Sequence, residues 1–174
     1  MTGKEFMQAV TNGQTDILQL LLNILDQTGT TYCVIGGLAV NAYTEPVVSL
    51  DLDLVVISEH IGTISQTASS KGMKVQEFEH RVNLSGAGSD LRIQLQTDTR
   101  YQDFLSRAVK CEILGYRMSV ASIEDVLQGK IWAYSDESRR KSKRQKDLAD
   151  IMRLVETHPS LREHLPPELL SEID

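Results

Sequence analysis

The chain has little of several things that would have fixed its class at once. It holds two cysteines, Cys33 and Cys111, which is too few for a disulfide framework, and no Cys/His pair has zinc-finger spacing. Both lie in apolar, strand-like runs, so the expectation is two buried free thiols in a reducing compartment. No apolar run approaches the roughly 20 residues that span a bilayer, and no apolar stretch follows Met1-Thr2-Gly3-Lys4-Glu5, so neither a membrane partner nor a signal peptide is expected. A cytoplasmic location follows by default. Low complexity, internal repeats and long linkers are missing as well. Positive charge is in deficit: 18 Lys plus Arg stand against 24 Asp plus Glu, a formal net charge of −6. That balance excludes a globally basic nucleic-acid coat and leaves room for a local basic patch.

What remains is an ordinary globular composition, 41% hydrophobic and 24% charged over 174 residues. The length suits one compact unit. Residues 1–30 read as an N-terminal helical segment, with a helix over 14–28, Thr15 as its N-cap and Gly29 as its stop. Thr31 to Ile35 is a β-branched and aromatic strand that runs into Gly36-Gly37 and a short helix over 38–43. Leu50 to Ile57 alternates strictly in its first five positions, the period of a strand. A helix over 61–71 follows, then strands at 73–78, 81–84 and 91–96, a short helix over 100–108, and strands at 111–114 and 117–120. From Ser122 the pattern turns helical: Ser122-Ile123-Glu124-Asp125 resembles a capping box, and helices are expected over 122–134, 143–156 and 166–173. The parts are a 1–30 helical segment, a 31–120 core and a 121–174 helical region. The fold class is α/β (α+β), a mixed sheet flanked by helices with a C-terminal helical layer.

Asp51 and Asp53, two apart on a strand, project from one face while Leu50, Leu52 and Leu54 point to the other. Two carboxylates about 5–7 Å apart on one face repel. A divalent cation resolves that conflict, since Mg²⁺ favours one or two carboxylates with phosphate oxygens and water. The alternative is an edge strand with two solvated acids. Gly36 and Gly37, between a strand and a helix, let the backbone come close to a phosphate, although a tight turn explains them equally well.

Val34-Ile35-Gly36-Gly37, thirteen residues, then Asp51-Leu52-Asp53-Leu54 resembles the signature of the nucleotidyltransferase (DNA polymerase β-like) superfamily. Lys130-Ile131-Trp132-Ala133-Tyr134 and Lys146-Asp147-Leu148-Ala149-Asp150-Ile151 are similar to its AbiEii-type branch, which includes toxins of type IV toxin–antitoxin systems. The resemblance spans roughly residues 31 to 155. It implies a nucleotidyltransferase fold and Mg²⁺ (or Mn²⁺) bound by Asp51 and Asp53. It also implies transfer of a nucleoside monophosphate from an NTP to an acceptor hydroxyl on RNA or protein, with an antitoxin as partner. Gly36 and Gly37 would contact the nucleotide. Lys130, on or beside an apolar helix stripe, would reach the triphosphate or else snorkel. Tyr134 would stack on the base or pack.

Asp147 would orient Lys130 or the nucleotide, with Asp150 in a lesser role; the alternative is a pair of helical bridges, Lys143–Asp147 and Lys146–Asp150. The family's third carboxylate falls at Gln94, which neither takes a proton at neutral pH nor suits a hard cation, with Asp90 and Asp98 as distant substitutes. A protein of this fold without that acid would be a nucleotide- or partner-binding module. Residues 139–146 hold six cations and no acid, a solvated run or a strip for triphosphate or RNA. His60, His80, His158 and His164 are scattered, and are expected at the surface.

Overall fold

The computed structural model describes residues 1–174. The strands are β1 (Tyr32–Ile35), β2 (Asp51–Val56), β3 (Lys74–Phe78), β4 (Arg81–Ser85), β5 (Arg92–Gln96), β6 (Val109–Ile113) and β7 (Tyr116–Val120). The helices are α1 (Gly3–Val10), α2 (Ile17–Gln27), α3 (Gly36–Val40), α4 (Ile61–Ser70), α5 (Ile123–Ser135), α6 (Lys141–Thr157) and α7 (Pro167–Ile173). All seven strands form one mixed sheet in the order β3-β4-β5-β2-β1-β7-β6. The β2–β5 and β1–β7 pairs are parallel, and the other four are antiparallel. One core of 41 buried residues runs from Met7 to Leu169 and takes in every helix of the chain. No helix is long and apolar enough to cross a membrane.

The central strands are buried on both faces after their first turn: β2 alternates at Asp51 to Leu54 and then buries Val55 and Val56. That change of pattern marks where the sheet leaves the cleft and enters the core. The N-terminal segment is two helices rather than one. Thr2 and Glu5 form a full capping box on α1. The cap of α2 is Asp16, not Thr15: its carboxylate accepts from Gln19 N at 2.9 Å and from the Tyr116 hydroxyl at 3.0 Å. A carboxylate able to serve both a helix terminus and a buried phenol displaces the neighbouring hydroxyl. Gly29 does end that helix, with φ at +61°.

The segment expected as a helix over 100–108 is a 3₁₀ run at Thr99–Arg107, opened by Asp98, which accepts from Arg100 N. Further 3₁₀ turns precede α4 (Ser58–His60) and α7 (Pro159–His164). At α5 only half of a capping box forms. Ser122 Oγ accepts from Asp125 N, but the Asp125 carboxylate takes a bidentate Arg107 instead of reaching back. Cys33 is fully buried, and burial, helped by the Asp125 charge, pushes its thiol up to about 12. Cys111, on the sheet edge, is only half-buried, contrary to expectation.

Candidate active site

The loop end of the central strands opens into a cleft of about 390 Å³ whose floor is β2. Asp51 and Asp53 both line it, because residues two apart on a strand share a face. Asp51 is bridged by its neighbour across the parallel pair: Arg92 Nε donates to Asp51 Oδ1 at 2.7 Å. Asp53 has no such partner. Burial first, and the Asp51 charge second, push its carboxyl up to about 6, against the pull of Lys130, Arg139 and Lys143.

Gly36 opens α3 directly from β1 with φ at +72°, and a Cβ there would lie 2.7 Å from Asp53 Oδ2. Glycine is therefore required twice over, by backbone conformation and by contact with the carboxylate. Gly37 is less constrained; its nearest side-chain atom is Asp150 Oδ2, 3.8 Å from where a Cβ would sit. Both glycines line the cleft, beside Ser49.

Packed against α3, helices α5 and α6 supply the cationic side. Lys130 is 6% exposed, and Asp147 and Asp150 are 1% and 5% exposed. Lys130 Nζ donates to Asp147 Oδ1 at 3.0 Å. It also lies 2.8 Å from Asp150 Oδ2, off the direction of a hydrogen bond, so that second contact is an ion pair of charge alone. Arg139 Nε donates to the other Asp147 oxygen at 2.7 Å, and Arg153 Nη1 to Asp150 Oδ1 at 2.9 Å. Arg153 also reaches Asn41, Thr44 and the Glu45 carbonyl, tying α6 to the loop that leads into β2. Two buried acids with three cations satisfy one another, which a buried charge needs.

Several expectations change here. The surface bridges Lys143–Asp147 and Lys146–Asp150 do not form, since both acids turn inward to Lys130. Tyr134 does not line the cleft: Arg144 sits over its ring at 5.4 Å and donates to its carbonyl, so it packs. Of the basic run, Arg139, Lys143 and Lys146 line the cleft, and Arg140, Lys141 and Arg144 do not. Lys143 and Lys146 share one face of α6, and Arg139 stands in the bend that precedes it.

The register sets Gln94 beside Asp53 and Asn83 beyond it. Neither Asp90, which is exposed, nor Asp98, which caps a turn, lines the cleft, so neither supplies a third acid. No cluster of three or more His, Cys, Asp or Glu side chains could hold a metal ion. Arg92, Asn83 and Tyr101 line the cleft without having been expected there. Arg92 and Asn83 stand in phase with Gln94 or across from it, a signal that only a known strand order could have converted into a position.

No model of a known protein family and no curated protein matches the chain. Solved structures do. The antibiotic-resistance factor ANT(2'')-Ia, in complex with adenylyl-2''-tobramycin, superposes with a TM-score of 0.64 at 16% identity, over 91% of this chain and 97% of that one. The lincosamide antibiotic adenylyltransferase LnuA, lincomycin-bound, gives 0.58 at 13% identity, over 82% and 99%. An antigenic nucleotidyltransferase-like protein from Paracoccidioides brasiliensis gives 0.57 at 18% identity, over 90% of each chain. Together with the mixed seven-stranded sheet and its flanking helices, these likenesses show that the chain has the nucleotidyltransferase fold.

Proposed function

We propose that the chain is a Mg²⁺-dependent (or Mn²⁺-dependent) nucleotidyltransferase that moves NMP from an NTP to an acceptor hydroxyl. The observation that carries this reading is the pair Asp51 and Asp53 on the cleft floor, with Gly36 against Asp53 and the cations of α6 alongside.

The donor set suits one divalent cation. Asp53 is a carboxylate held at a cost beside a second one, and a cation shared between them relieves that repulsion. Two carboxylates plus substrate phosphates are a usual Mg²⁺ set. Asp51 and Asp53 would hold the ion. When bound, it supplies neutralisation of charge on the phosphoryl oxygens.

The chain's own groups do the rest. Gly36 and Gly37 let the backbone approach the phosphates, and Arg139, Lys143 and Lys146 attract the triphosphate. Lys130, saturated by two buried acids, is a positioning residue that fixes α5 against α6; Asp147 holds Arg139 at the cleft. The superfamily membership suggested by the Gly-Gly and Asp-x-Asp motif agrees with the fold. The AbiEii-type motif residues Lys130, Asp147 and Asp150 support a finer reading as a toxin-like enzyme with an RNA or protein acceptor and an antitoxin partner.

A second reading is favoured by one observation: Gln94 stands where a third acid would, and cannot take a proton. The protein would then bind nucleotide without transferring it. Incubation with each labelled NTP, Mg²⁺ or Mn²⁺, and total RNA or the polypeptide itself separates the two. Transfer lost in Asp51→Asn and Asp53→Asn establishes the enzyme. NTP binding with no transfer to any acceptor establishes the binding module.

A further inference from the structure

The two sides of the cleft differ in chemistry. Starting from Gly36 at the end of β1, the sheet order runs through the acids of β2 to Gln94 of β5 and then Asn83 of β4. The glycines and the cations of α6 lie on one side of Asp53. The other side is neutral: Asn83, Gln94 and Gln96 line it. It holds no free carboxylate, and the one nearby cation, Arg92, is taken up by Asp51.

One polar group on this side is buried without a protein partner. Asn83 Oδ1 is fully buried and accepts no hydrogen bond. A buried amide oxygen ordinarily finds a partner, and leaving it unpaired is costly. Side-chain amides both donate and accept, which matches hydroxyl groups.

Transfer with the attacking and leaving oxygens in line places acceptor and pyrophosphate on opposite sides of the reacting phosphorus. With the triphosphate on the glycine and cation side, the acceptor lies over β5 and β4. We infer that Asn83, Gln94 and Gln96 form an acceptor subsite for an uncharged, hydroxyl-rich group, a neutral sugar diol, and that polycationic amino sugars are excluded for want of a carboxylate. This rests on the nucleotidyl-transfer reading. The diol can come from a free glycoside or from the ribose end of an oligoribonucleotide.

The side-chain amide resonances of Asn83, Gln94 and Gln96, assigned by single substitution, report the subsite by NMR. The protein is titrated first with Mg²⁺ and non-hydrolysable analogues of the four NTPs, then separately with methyl ribofuranoside, a short oligoribonucleotide with a free 3′ diol, and tobramycin. The expected result is that an NTP analogue shifts the backbone amides of Gly36 and Gly37, and the Gln94 amide beside Asp53, and leaves the side-chain amides of Asn83 and Gln96 in place. One or both diol probes, each told apart by its own titration, then shift the side-chain amides, and tobramycin does not. The variant Asn83→Asp/Gln96→Glu should bind tobramycin at least tenfold more tightly than the wild type. The inference is overturned if the NTP analogue itself moves the Asn83 and Gln96 amides, if tobramycin does so in the wild type, or if no diol probe does. Absence of any shift at Gly36 and Gly37 with all four analogues would instead overturn the nucleotide-binding reading beneath it.

Discussion

Gly36 and Asp53 are in contact across β1 and β2: a side chain on Gly36 would begin 2.7 Å from the Asp53 carboxylate, at a residue whose φ is +72°. The glycine does more than permit a turn. It determines where the acid can point, so the Gly-Gly and Asp-x-Asp halves of the motif are one object. Gly36→Ala should destabilise the fold by about 1–3 kcal/mol through backbone strain and displace Asp53 as well. Gly37→Ala, with nothing closer than 3.8 Å, should leave stability within about 0.5 kcal/mol. Denaturant melts and Mn²⁺ titrations of the two variants check both.

Asp53 is kept at a cost to the fold. Its folded carboxyl is raised to about 6 from 3.8, so between those values the folded state binds more protons than the unfolded one. Stability therefore falls as pH rises through that window, and the penalty is fully present above it. Asp53→Asn should stabilise the metal-free protein by about 1–3 kcal/mol at pH 7.5, with no gain near pH 4. Thermal melts across pH 4–8 without metal test this. Added Mg²⁺ should raise the melting temperature of the wild type and leave Asp53→Asn unmoved.

The two cations that share Asp147 should separate in function. Lys130 is buried between two acids, and Lys130→Met leaves them short of a cation, which costs about 3–5 kcal/mol. Arg139 is 37% exposed at the cleft. Arg139→Ala should cost under about 1 kcal/mol of stability and weaken NTP binding about tenfold, measured by calorimetry.

Much of this was legible in the sequence, and what was not has physical reasons. The Asp51–Asp53 strand and the Gly-Gly turn are local patterns, and period two settles which way the acids point. Gln94 was legible as the third position because its strand alternates cleanly. Helical spacing alone reads Asp147 and Asp150 as edge residues in surface bridges, since it cannot show that α5 brings Lys130 over them; only the resemblance set Asp147 beside Lys130. The Asp16 cap was hidden because Thr15 and Asp16 both suit that role, and only the fold brings Tyr116 to the carboxylate. Asn83 acquires its meaning from strand order and Tyr101 from packing on α5, both long-range facts.

Gln94→Glu restores an acid beside Asp53 at nearly the same size. Without metal the new like-charge contact should lower the melting temperature; with Mn²⁺ it should raise it above the wild type. Transfer, if limited by the missing acid, should rise at least about tenfold, the low end of what a positioned base contributes or somewhat below it.

The central claim is that Asp51 and Asp53 hold a metal-bound nucleotide. Calorimetric titration of each of the four NTPs, with and without Mn²⁺, into the wild type and into Asp51→Asn/Asp53→Asn tests it most directly. The account predicts binding of at least one NTP that requires the divalent ion and is lost in the double variant. Metal-independent binding of equal strength, or unchanged metal-dependent binding in the double variant, would contradict it.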